Sequence, residues 1–153
     1  MLPCLVDFAN LLLAALLAGS AFTVWLVLNP AGLEASQYVV LQQQAIRKLN
    51  VLLPLMGAVV IVLTLITIAL EHAQLTRLLL IGALAGFVVS ALITRLGNQP
   101  INAVVIAWNP AAPPANWTAF CDRWWFWHRI RVVTVLGAFL LLLAAALFRS
   151  PLQ

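Results

Sequence analysis

Four long stretches of the sequence contain no charged residue, and each is long enough to cross a lipid bilayer. They are residues 8–28, 51–70, 78–94 and 132–148. A spanning helix needs about 17–25 predominantly apolar residues. Only 8% of the 153 residues are charged, whereas a soluble domain carries about 25%. The sequence therefore predicts an all-α integral membrane protein, with residues 1–153 forming a single domain built as a four-helix bundle.

The second and fourth helices are predicted to extend beyond the bilayer. No Gly–Pro pair interrupts residues 37–71, so a single long second helix is expected, with Pro54 kinking it one turn inside the membrane. Asn116 is a suitable N-cap for the last helix, which would then begin well before the fourth span. The polar starts of both helices are therefore expected outside the bilayer or among the lipid headgroups.

The connection between the third and fourth spans is irregular. Pro100 removes a backbone amide, and the later stretch NPAAPPAN is typical of an extended turn. Residues 103–108 lie between them and are apolar but too short to cross the bilayer. Irregular backbone is tolerated at membrane depth only where it lines protein or a cavity. We therefore expect a broken segment between helices 3 and 4 that is re-entrant or interfacial.

The third span contains Gly82 and Gly86 in a G-x-x-x-G spacing. In a membrane, small residues at this spacing permit two helices to approach closely. The spacing indicates close helix packing, and a homo-oligomer formed through this third helix is one way in which the chain can use it.

Charged residues divide unequally between the two sides of the predicted bundle. One side carries six basic residues and two acidic ones, Glu34 and Asp122, so its balance is six minus two, +4. The six basic residues are Arg47, Lys48, Arg95, Arg123, Arg129 and Arg131. The other side is neutral, because Arg77 and Arg149 offset Asp7 and Glu71. The positive-inside rule predicts that the basic side is cytoplasmic. No nucleic-acid-binding motif is present, so the charge is attributed to the membrane.

Neither the cysteines nor the histidines have the spacing of a metal or disulfide framework. Cys4 and Cys121 precede the first and fourth spans, which places them about 30 Å apart. A disulfide needs Cα atoms within about 7 Å, so the two are expected to be unbonded. The sequence has no C-x-x-C, H-x-x-H or E-x-x-H spacing, which argues against a zinc or di-iron site. His128 as the sole axial ligand of a haem, or as a ligand of another metal, is the alternative.

The fourth helix enters the membrane through RWWFWHRIR, residues 123–131. Trp124, His128 and Arg131 fall at i, i+4 and i+7, which is one stripe of a helix. The other tryptophans and Arg123 are typical of an interfacial belt that contacts lipid headgroups. Arg131 lies deepest, and an ionisable group at that depth usually faces the bundle interior or a cavity. His128 and Arg131 are therefore the predicted catalytic pair.

Three polar residues near the end of the third span are candidate ligand-binding groups. Arg95 either snorkels to the headgroups or points into the same cavity as Arg131. Asn98 and Asn102 flank Pro100 and either cap broken helix ends or offer amide groups to a ligand.

Two segments together resemble the small four-helix membrane family that includes the anthrone oxygenases, many members of which have no assigned function. They are NQPINAVVIAW and RWWFWHRIRVVTVLGAFLLLLAA. The family pattern is Pro-aliphatic-Asn after the third helix, a tryptophan soon after, and then Trp-x-x-x-His-x-x-Arg at the start of the fourth. The matching residues are Pro100, Asn102, Trp108, Trp124, His128 and Arg131.

This resemblance implies an oxygenase that converts an activated phenolic methylene, such as that of an anthrone, to a carbonyl with molecular oxygen and no organic cofactor. A small lipophilic aromatic substrate would enter from the bilayer. His128 would take its proton, and Arg131, with Arg129, would stabilise the resulting anion. Trp124 and Trp108 would stack against the aromatic ring of the substrate, and Asn102 would hold a substrate oxygen.

Two other classes of function are compatible with the sequence. One is a haem- or metal-binding membrane redox protein that uses His128. The other is a non-catalytic membrane partner in which the aromatic and cationic cluster only anchors the chain at the bilayer surface.

Overall fold

The computed structural model describes residues 2–148, in which every regular element is helical. Arg149, which contributes to the charge count above, lies outside the described residues. The elements in chain order are α1 (Leu2–Val27), α2 (Ala35–Leu49), α3 (Leu52–Leu70), α4 (Gln74–Ile93), a π-helical turn (Thr94–Asn98), α5 (Gln99–Val105) and α6 (Trp117–Phe148).

Helices α1, α3, α4 and α6 form an antiparallel bundle. Asn10, near the start of α1, hydrogen-bonds Thr64, near the end of α3, and the short turn after Leu70 returns the chain as α4. Four helical segments are long and apolar enough to cross a membrane: Pro3–Val27, Leu52–Leu70, Gln74–Val105 and Trp117–Phe148. Large apolar side chains are exposed on all four, as on a surface that faces lipid. The predicted four-helix membrane bundle is confirmed.

Close packing of α4 on α6 depends on the two glycines of the G-x-x-x-G spacing. A Cβ added at Gly86 would lie 2.8 Å from the Cβ of Ala138, and one at Gly82 would lie 3.2 Å from Leu141 Cδ1. The motif therefore packs two helices of the same chain. The surface on which a homo-oligomer was expected is occupied by α6.

The predicted single long helix over residues 37–71 is wrong. The chain forms two helices, of which α2 ends at Leu49 and α3 begins at Leu52. Pro54 lies in the first turn of α3, where a backbone amide has no partner within the helix. The proline therefore stands at the start of a helix and does not kink one.

Helix α2 is held against the ends of α5 and α6 by buried polar and aromatic side chains. Gln43 Nε2 donates to the backbone carbonyl of Trp108 at 2.8 Å. The Tyr38 ring packs on Trp117 with centroids 5.4 Å apart. Burial raises the pKa of Tyr38, and the neighbouring Cys121 adds to the effect, so the hydroxyl stays protonated. Helix α2 therefore covers the end of the bundle at which α6 begins.

The segment after α4 stays helical as far as Val105, so residues 103–105 are not part of a broken segment. This helix contains one π-helical turn, in which the amide of Gln99 donates to the carbonyl of Thr94, five residues earlier. The irregular part of the connection is residues 106–116, which include the predicted turn NPAAPPAN. Pro100 lies in the first turn of α5, where its missing amide is tolerated. The continuous helix Gln74–Val105 therefore extends beyond the predicted third span.

Both cysteines are free, with Cys4 exposed and Cys121 buried. The prediction that they are not bonded to each other is confirmed.

Candidate functional site

Arg131 and His128 form a direct contact inside the bundle. Arg131 Nη2 lies 2.7 Å from His128 Nδ1, and Arg131 Nη1 donates to Thr94 Oγ1 at 3.4 Å. A guanidinium group only donates hydrogen bonds, so Nδ1 must be the acceptor. The proton of the neutral imidazole is therefore assigned to Nε2.

The imidazole of His128 is enclosed by aromatic rings. His128 is 0% exposed, and its ring stacks on Trp124 with centroids 4.8 Å apart and planes at 17°. The ring of Trp125 lies 5.9 Å away. Nε2 is buried and makes no hydrogen bond of ordinary geometry within residues 2–148, although the backbone carbonyl of Ala21 approaches the ring. The imidazole is thus fixed by Arg131 on one side and by stacking on its face.

Asn102 joins four parts of the chain. Its Oδ1 accepts from Trp124 Nε1 at 2.8 Å and from Gln42 Nε2 at 3.4 Å. Its Nδ2 donates to Asn50 Oδ1 at 2.9 Å. The amide oxygen accepts two hydrogen bonds from the protein, so Asn102 orients Trp124. One N–H of its Nδ2 donates to Asn50, so the expected contact with a substrate oxygen falls to the second N–H and stays a prediction.

Asn98 is the polar side chain that the π-helical turn carries into the bundle. It is 1% exposed, and its Nδ2 donates to the backbone carbonyl of Trp124 at 3.0 Å. Its Oδ1 is buried and makes no hydrogen bond with any described residue. Trp124 is therefore held through its indole by Asn102 and through its backbone by Asn98.

A largely apolar cavity of about 190 Å³ lies against Arg131. Helices α1 and α6 form its inner wall, and α3, α4 and the π-helical turn form the rest. Exposed Ala91 and Arg95 belong to its lining, so the cavity reaches the protein surface beside α4. Its lining comprises Leu17, Ala21, Leu53, Pro54, Gly57, Phe87, Ser90, Ala91, Thr94, Arg95, Gln99, Arg131 and Val135, among which there is no carboxylate.

A second, smaller cavity of about 30 Å³ lies on the other side of Arg131. Four residues line both cavities and separate them: Leu53, Pro54, Thr94 and Arg131. The smaller cavity has a mixed lining, in which apolar side chains such as Ile46 and Leu49 lie beside the polar groups of Gln42, Asn50, Asn98, Asn102 and Trp124. Arg131 thus faces a largely apolar space on one side and, on the other, a space lined by several amide groups.

The structure places five of the predicted site residues on these two cavities. Arg131 and Arg95 line the larger one, and Asn98, Asn102 and Trp124 line the smaller one. Trp124 therefore faces the smaller cavity and not the larger one, which is the space that would hold an aromatic ring.

Three predicted site residues line neither cavity. His128 lies behind Arg131 and touches the larger cavity only through it. Trp108 packs edge-on against Phe120 with centroids 5.3 Å apart, and Arg129 is exposed. The geometry therefore gives no support to Trp108 as a wall of the substrate site or to Arg129 as a second anion-binding group, and both roles stay predictions.

Sequence reasoning missed three polar residues of the site. Gln42 and Asn50 were placed in a helix start outside the membrane, and Thr94 was taken as the last residue of a span. The position of Gln42 on the same helix face as Val39 and Ile46 is a signal that could have found the first of them, because an amide on a buried face needs a polar partner.

His128 and its surroundings do not fit a haem or another metal. Its Nδ1 is engaged by a guanidinium, its ring face is covered by Trp124, and it borders neither cavity. Within residues 2–148, no three His, Cys, Asp or Glu side chains are close enough to hold a metal ion together. The donors that the site does present are those of a guanidinium, which suits an anionic ligand.

These features define a small integral membrane protein in which four helices enclose a cavity. Arg131 lies at the inner end of this cavity, which reaches the protein surface beside α4. Within that class, the chain belongs to the anthrone oxygenase family, whose profile matches residues 42–141. The match begins at Gln42 and ends within α6, so it includes His128 and Arg131. It omits α1, and with it Val24 and Leu28 of the smaller cavity. No curated protein and no solved structure matches the chain. The resemblance found in the sequence is confirmed.

Proposed function

We propose that this protein is a membrane-embedded oxygenase that oxidises a small lipophilic, phenolic or related aromatic substrate with molecular oxygen. The observation that carries the proposal is the guanidinium of Arg131 at the inner end of an apolar cavity of about 190 Å³ that has no carboxylate in its lining. An unpaired cation in such a place is costly unless an anion forms beside it. Family membership supports the reaction class.

The proposed reaction converts an activated methylene to a carbonyl. Two C–H bonds break and one C=O bond forms, so the carbon loses four electrons. One molecule of oxygen accepts the four electrons; one of its atoms enters the product, and the other leaves as water. Deprotonation of the substrate comes first, because the anion is electron-rich enough to react with oxygen directly.

Arg131 is proposed to bind the oxygen atom on which the negative charge of the substrate anion develops. A guanidinium held in place beforehand needs no reorganisation as that charge appears, and the apolar walls strengthen the interaction. Arg95 also lines the cavity and adds positive potential at its outer end.

His128 is proposed to accept the substrate proton at Nδ1. In the structure this atom accepts a hydrogen bond from Arg131, so it is not free to act as a base. Because His128 lies behind Arg131 and borders neither cavity, Arg131 has to turn towards a substrate oxygen before the Nδ1 lone pair is released and reaches the substrate. The resulting imidazolium of His128 lies beside the guanidinium of Arg131, and the two positive charges repel each other. The negative charge of the substrate anion offsets this repulsion. Proton transfer is thereby restricted to the substrate complex.

The other two candidate functions have less support. A haem at His128 would have to be bound through Nε2, which is buried, and His128 borders neither cavity, so the side chains packed around it would have to move to admit the group. An anchor with no catalytic role would not require a buried Arg131–His128 pair, since headgroup contacts need exposed arginines.

The test is oxygen uptake and quinone formation by protein in lipid nanodiscs supplied with an anthrone. Arg131→Ala should lower turnover by about 10²–10³-fold, and His128→Ala by about 10²–10⁴-fold. Arg131→Lys should recover only part of the activity, because the compact ammonium group of lysine keeps the charge but cannot make the paired hydrogen bonds of a planar guanidinium. Arg77→Ala is the matched control, since Arg77 is exposed at the opposite end of α4.

The outcomes separate the three candidate functions. Turnover that survives both alanine substitutions in folded protein would refute the proposed mechanism. A Soret band in the purified protein that disappears in His128→Ala would replace it with the haem function. If His128→Ala leaves every associated activity intact, the anchoring role is favoured.

A further inference from the structure

We propose that the smaller cavity is a binding site for one water molecule held between Arg131 and Asn98, and that the water formed by the reaction leaves along it towards α2. The water site stands on geometry alone. The exit role rests on the proposed oxygenase function, because only that reaction releases water beside Arg131.

Two buried atoms without partners point to the site. Arg131 Nε is a donor and Asn98 Oδ1 is an acceptor, and neither makes a hydrogen bond with any described residue. Both residues line the same cavity. A water molecule placed between them would accept from Nε–H and donate to Oδ1, which satisfies both groups. A buried polar group without a hydrogen bond is unfavourable, so both atoms favour an occupant that can accept and donate.

The size and lining of the cavity select water over other occupants. A water molecule needs about 10–15 Å³ of such space and two to four polar partners, and the cavity offers about 30 Å³. That volume is too small for an aromatic ring. Molecular oxygen is apolar and gains nothing from amide groups. A hydroxyl group of the substrate is the remaining competitor, and it would have to pass Arg131 and Thr94.

The residues beyond the water site lead to the surface of the bundle. Gln42 and Asn50 line the cavity on the side of α2, and Asn50 is only half-buried. Their amide groups are joined through Asn102. The larger cavity is bounded mainly by apolar side chains, and two of its polar groups, Arg95 and Gln99, hydrogen-bond each other. A buried acceptor without a partner among the described residues, Asn98 Oδ1, lies on the smaller cavity, so water released beside Arg131 finds an open acceptor in the direction of α2.

The site can be tested without any substrate. Water-edited solid-state NMR in lipid bilayers, with ¹⁵N-labelled arginine, reports which N–H groups receive magnetisation from water. The Arg131 Nε signal is assigned by its disappearance in Arg131→Lys. We expect water transfer to this signal in the unmodified protein and its loss in Asn98→Leu, which removes the acceptor at similar volume.

A matched control and a second variant keep this test decisive. Asn10→Leu removes another buried asparagine, which bonds Thr64 at the far end of the bundle, and should leave water transfer at Arg131 unchanged. If Asn98→Leu does not fold, Ala45→Leu fills the cavity from α2, since Ala45 belongs to its lining, and should also abolish the transfer. No transfer in the unmodified protein, or equal transfer in the folded cavity variant, would overturn the water site.

The exit role has its own readout. In the anthrone assay, Ala45→Leu, which fills the cavity from α2, should lower steady-state turnover and leave the rate of the first turnover unchanged, because release and not oxidation is impeded. Equal steady-state turnover would remove the exit role while the NMR result upholds the water site. Absence of oxygenase activity in the unmodified protein would refute the proposed function and the exit role together, and the water site would then be judged by NMR alone.

Discussion

A single guanidinium connects the two cavities of this protein. Arg131 is one of the four residues that line both cavities. It contacts His128 through Nη2 and Thr94 through Nη1, and its Nε is a buried donor without a partner among the described residues. The guanidinium is a rigid fork, so drawing one N–H towards a substrate oxygen moves the others. At the scale of one residue, substrate binding, release of the histidine lone pair and water binding are therefore coupled.

The base and positioning roles of His128 can be separated by substitution. In His128→Asn, the amide oxygen can still accept from Arg131, as Nδ1 does, but it cannot take a proton. We expect kcat to fall by about 10²–10⁴-fold, the usual loss of a general base, while KM for the anthrone stays near its original value. His128→Ala should impair both parameters, because Arg131 then loses its partner. Steady-state kinetics in nanodiscs gives the two values.

The chain offers a matched control for this substitution. His72 is exposed in the turn between α3 and α4, so His72→Asn should change neither kcat nor KM. If His128→Asn retained full kcat, His128 would act only by positioning Arg131, and another group would have to accept the proton.

The sequence predicted which residues share a helix face but not which of them reaches the cavity. The spacing of Trp124, His128 and Arg131 gives one stripe, and the structure keeps them together through a ring stack and a hydrogen bond. Side-chain length decides the rest. The long Arg131 side chain reaches the cavity, whereas the shorter imidazole is covered. The spacing of residues along a helix does not say which side chain extends furthest, so the sequence predicted His128 in contact with the substrate.

At the scale of elements, the π-helical turn is the feature that shapes the site. Thr94 begins it and Asn98 ends it, and these two residues supply the acceptor for Arg131 and the unpartnered oxygen of the smaller cavity. An extra residue in one turn changes the register of the helix that follows, and such turns are frequent at functional sites. Gly97 lies within this turn and against the ring of Trp127.

Gly97→Ala should destabilise the protein through this contact. A Cβ at Gly97 would lie 2.7 Å from Trp127 Cγ and 3.1 Å from Trp127 Cβ, which no side-chain rotation relieves completely. Overpacking of this kind costs about 1–3 kcal/mol. We expect a lower midpoint of thermal unfolding in detergent, followed by tryptophan fluorescence.

Gly137→Ala is the control for the same chemical change in a helix. A Cβ at Gly137 meets no atom within 4 Å, so the substitution should stabilise α6 by about 0.5–1 kcal/mol through helix propensity alone. Equal shifts of the two midpoints would show that the contact with Trp127 does not hold the π-helical turn.

The sequence predicted an irregular connection between the third and fourth spans, but not the turn between α2 and α3 or the π-helical turn. The turn between α2 and α3 contains Asn50 and Val51, both with helical dihedral angles, and no glycine or proline lies within it. The π-helical turn likewise forms within a sequence that favours helix. Both features depend on packing against other helices, which single-sequence patterns do not contain. The spans themselves follow from composition, and they were predicted correctly.

At the scale of the whole molecule, polar side chains are buried at both ends of the bundle. Asn10, Thr64 and Thr67 lie at the end where α1 begins and α3 finishes. The site around Arg131 lies towards the opposite end. The core between them is packed with apolar residues such as Val60 and Leu80, which separate the site from the other end of the bundle.

Cysteine labelling tests which positions share that face. Ser36 at α2 and Thr118 at α6 are exposed, as is His72 between α3 and α4. In a Cys4→Ser background, we expect cysteines at 36 and 118 to react with an impermeant maleimide in the same membrane orientation, and a cysteine at 72 only in the opposite one. Labelling of 36 and 118 from different faces would contradict the topology. The face that reacts in intact cells decides whether the basic side is cytoplasmic, which stays a prediction.

The shape of the larger cavity predicts how the size of the substrate is limited. Gly57 belongs to its lining, and a Cβ there would meet only Leu17 Cδ2, at 3.9 Å. A larger side chain can therefore enter the cavity without displacing the backbone. Gly57→Leu should lower kcat/KM for a three-ring anthrone by about tenfold or more, since even one methylene group in an apolar pocket changes the barrier by about 1–3 kcal/mol. A one-ring phenolic substrate should lose less.

Gly19→Leu is the matched control for this prediction, because a Cβ at Gly19 meets nothing within 4 Å and Gly19 is exposed. It adds the same side chain to α1 outside the cavity and should leave kcat/KM unchanged for both substrates. Equal losses for large and small substrates in Gly57→Leu would mean that the substitution acts on stability or on Arg131 and not on space. No loss in either would mean that the substrate reaches Arg131 by another path, and the larger cavity would no longer be its binding site.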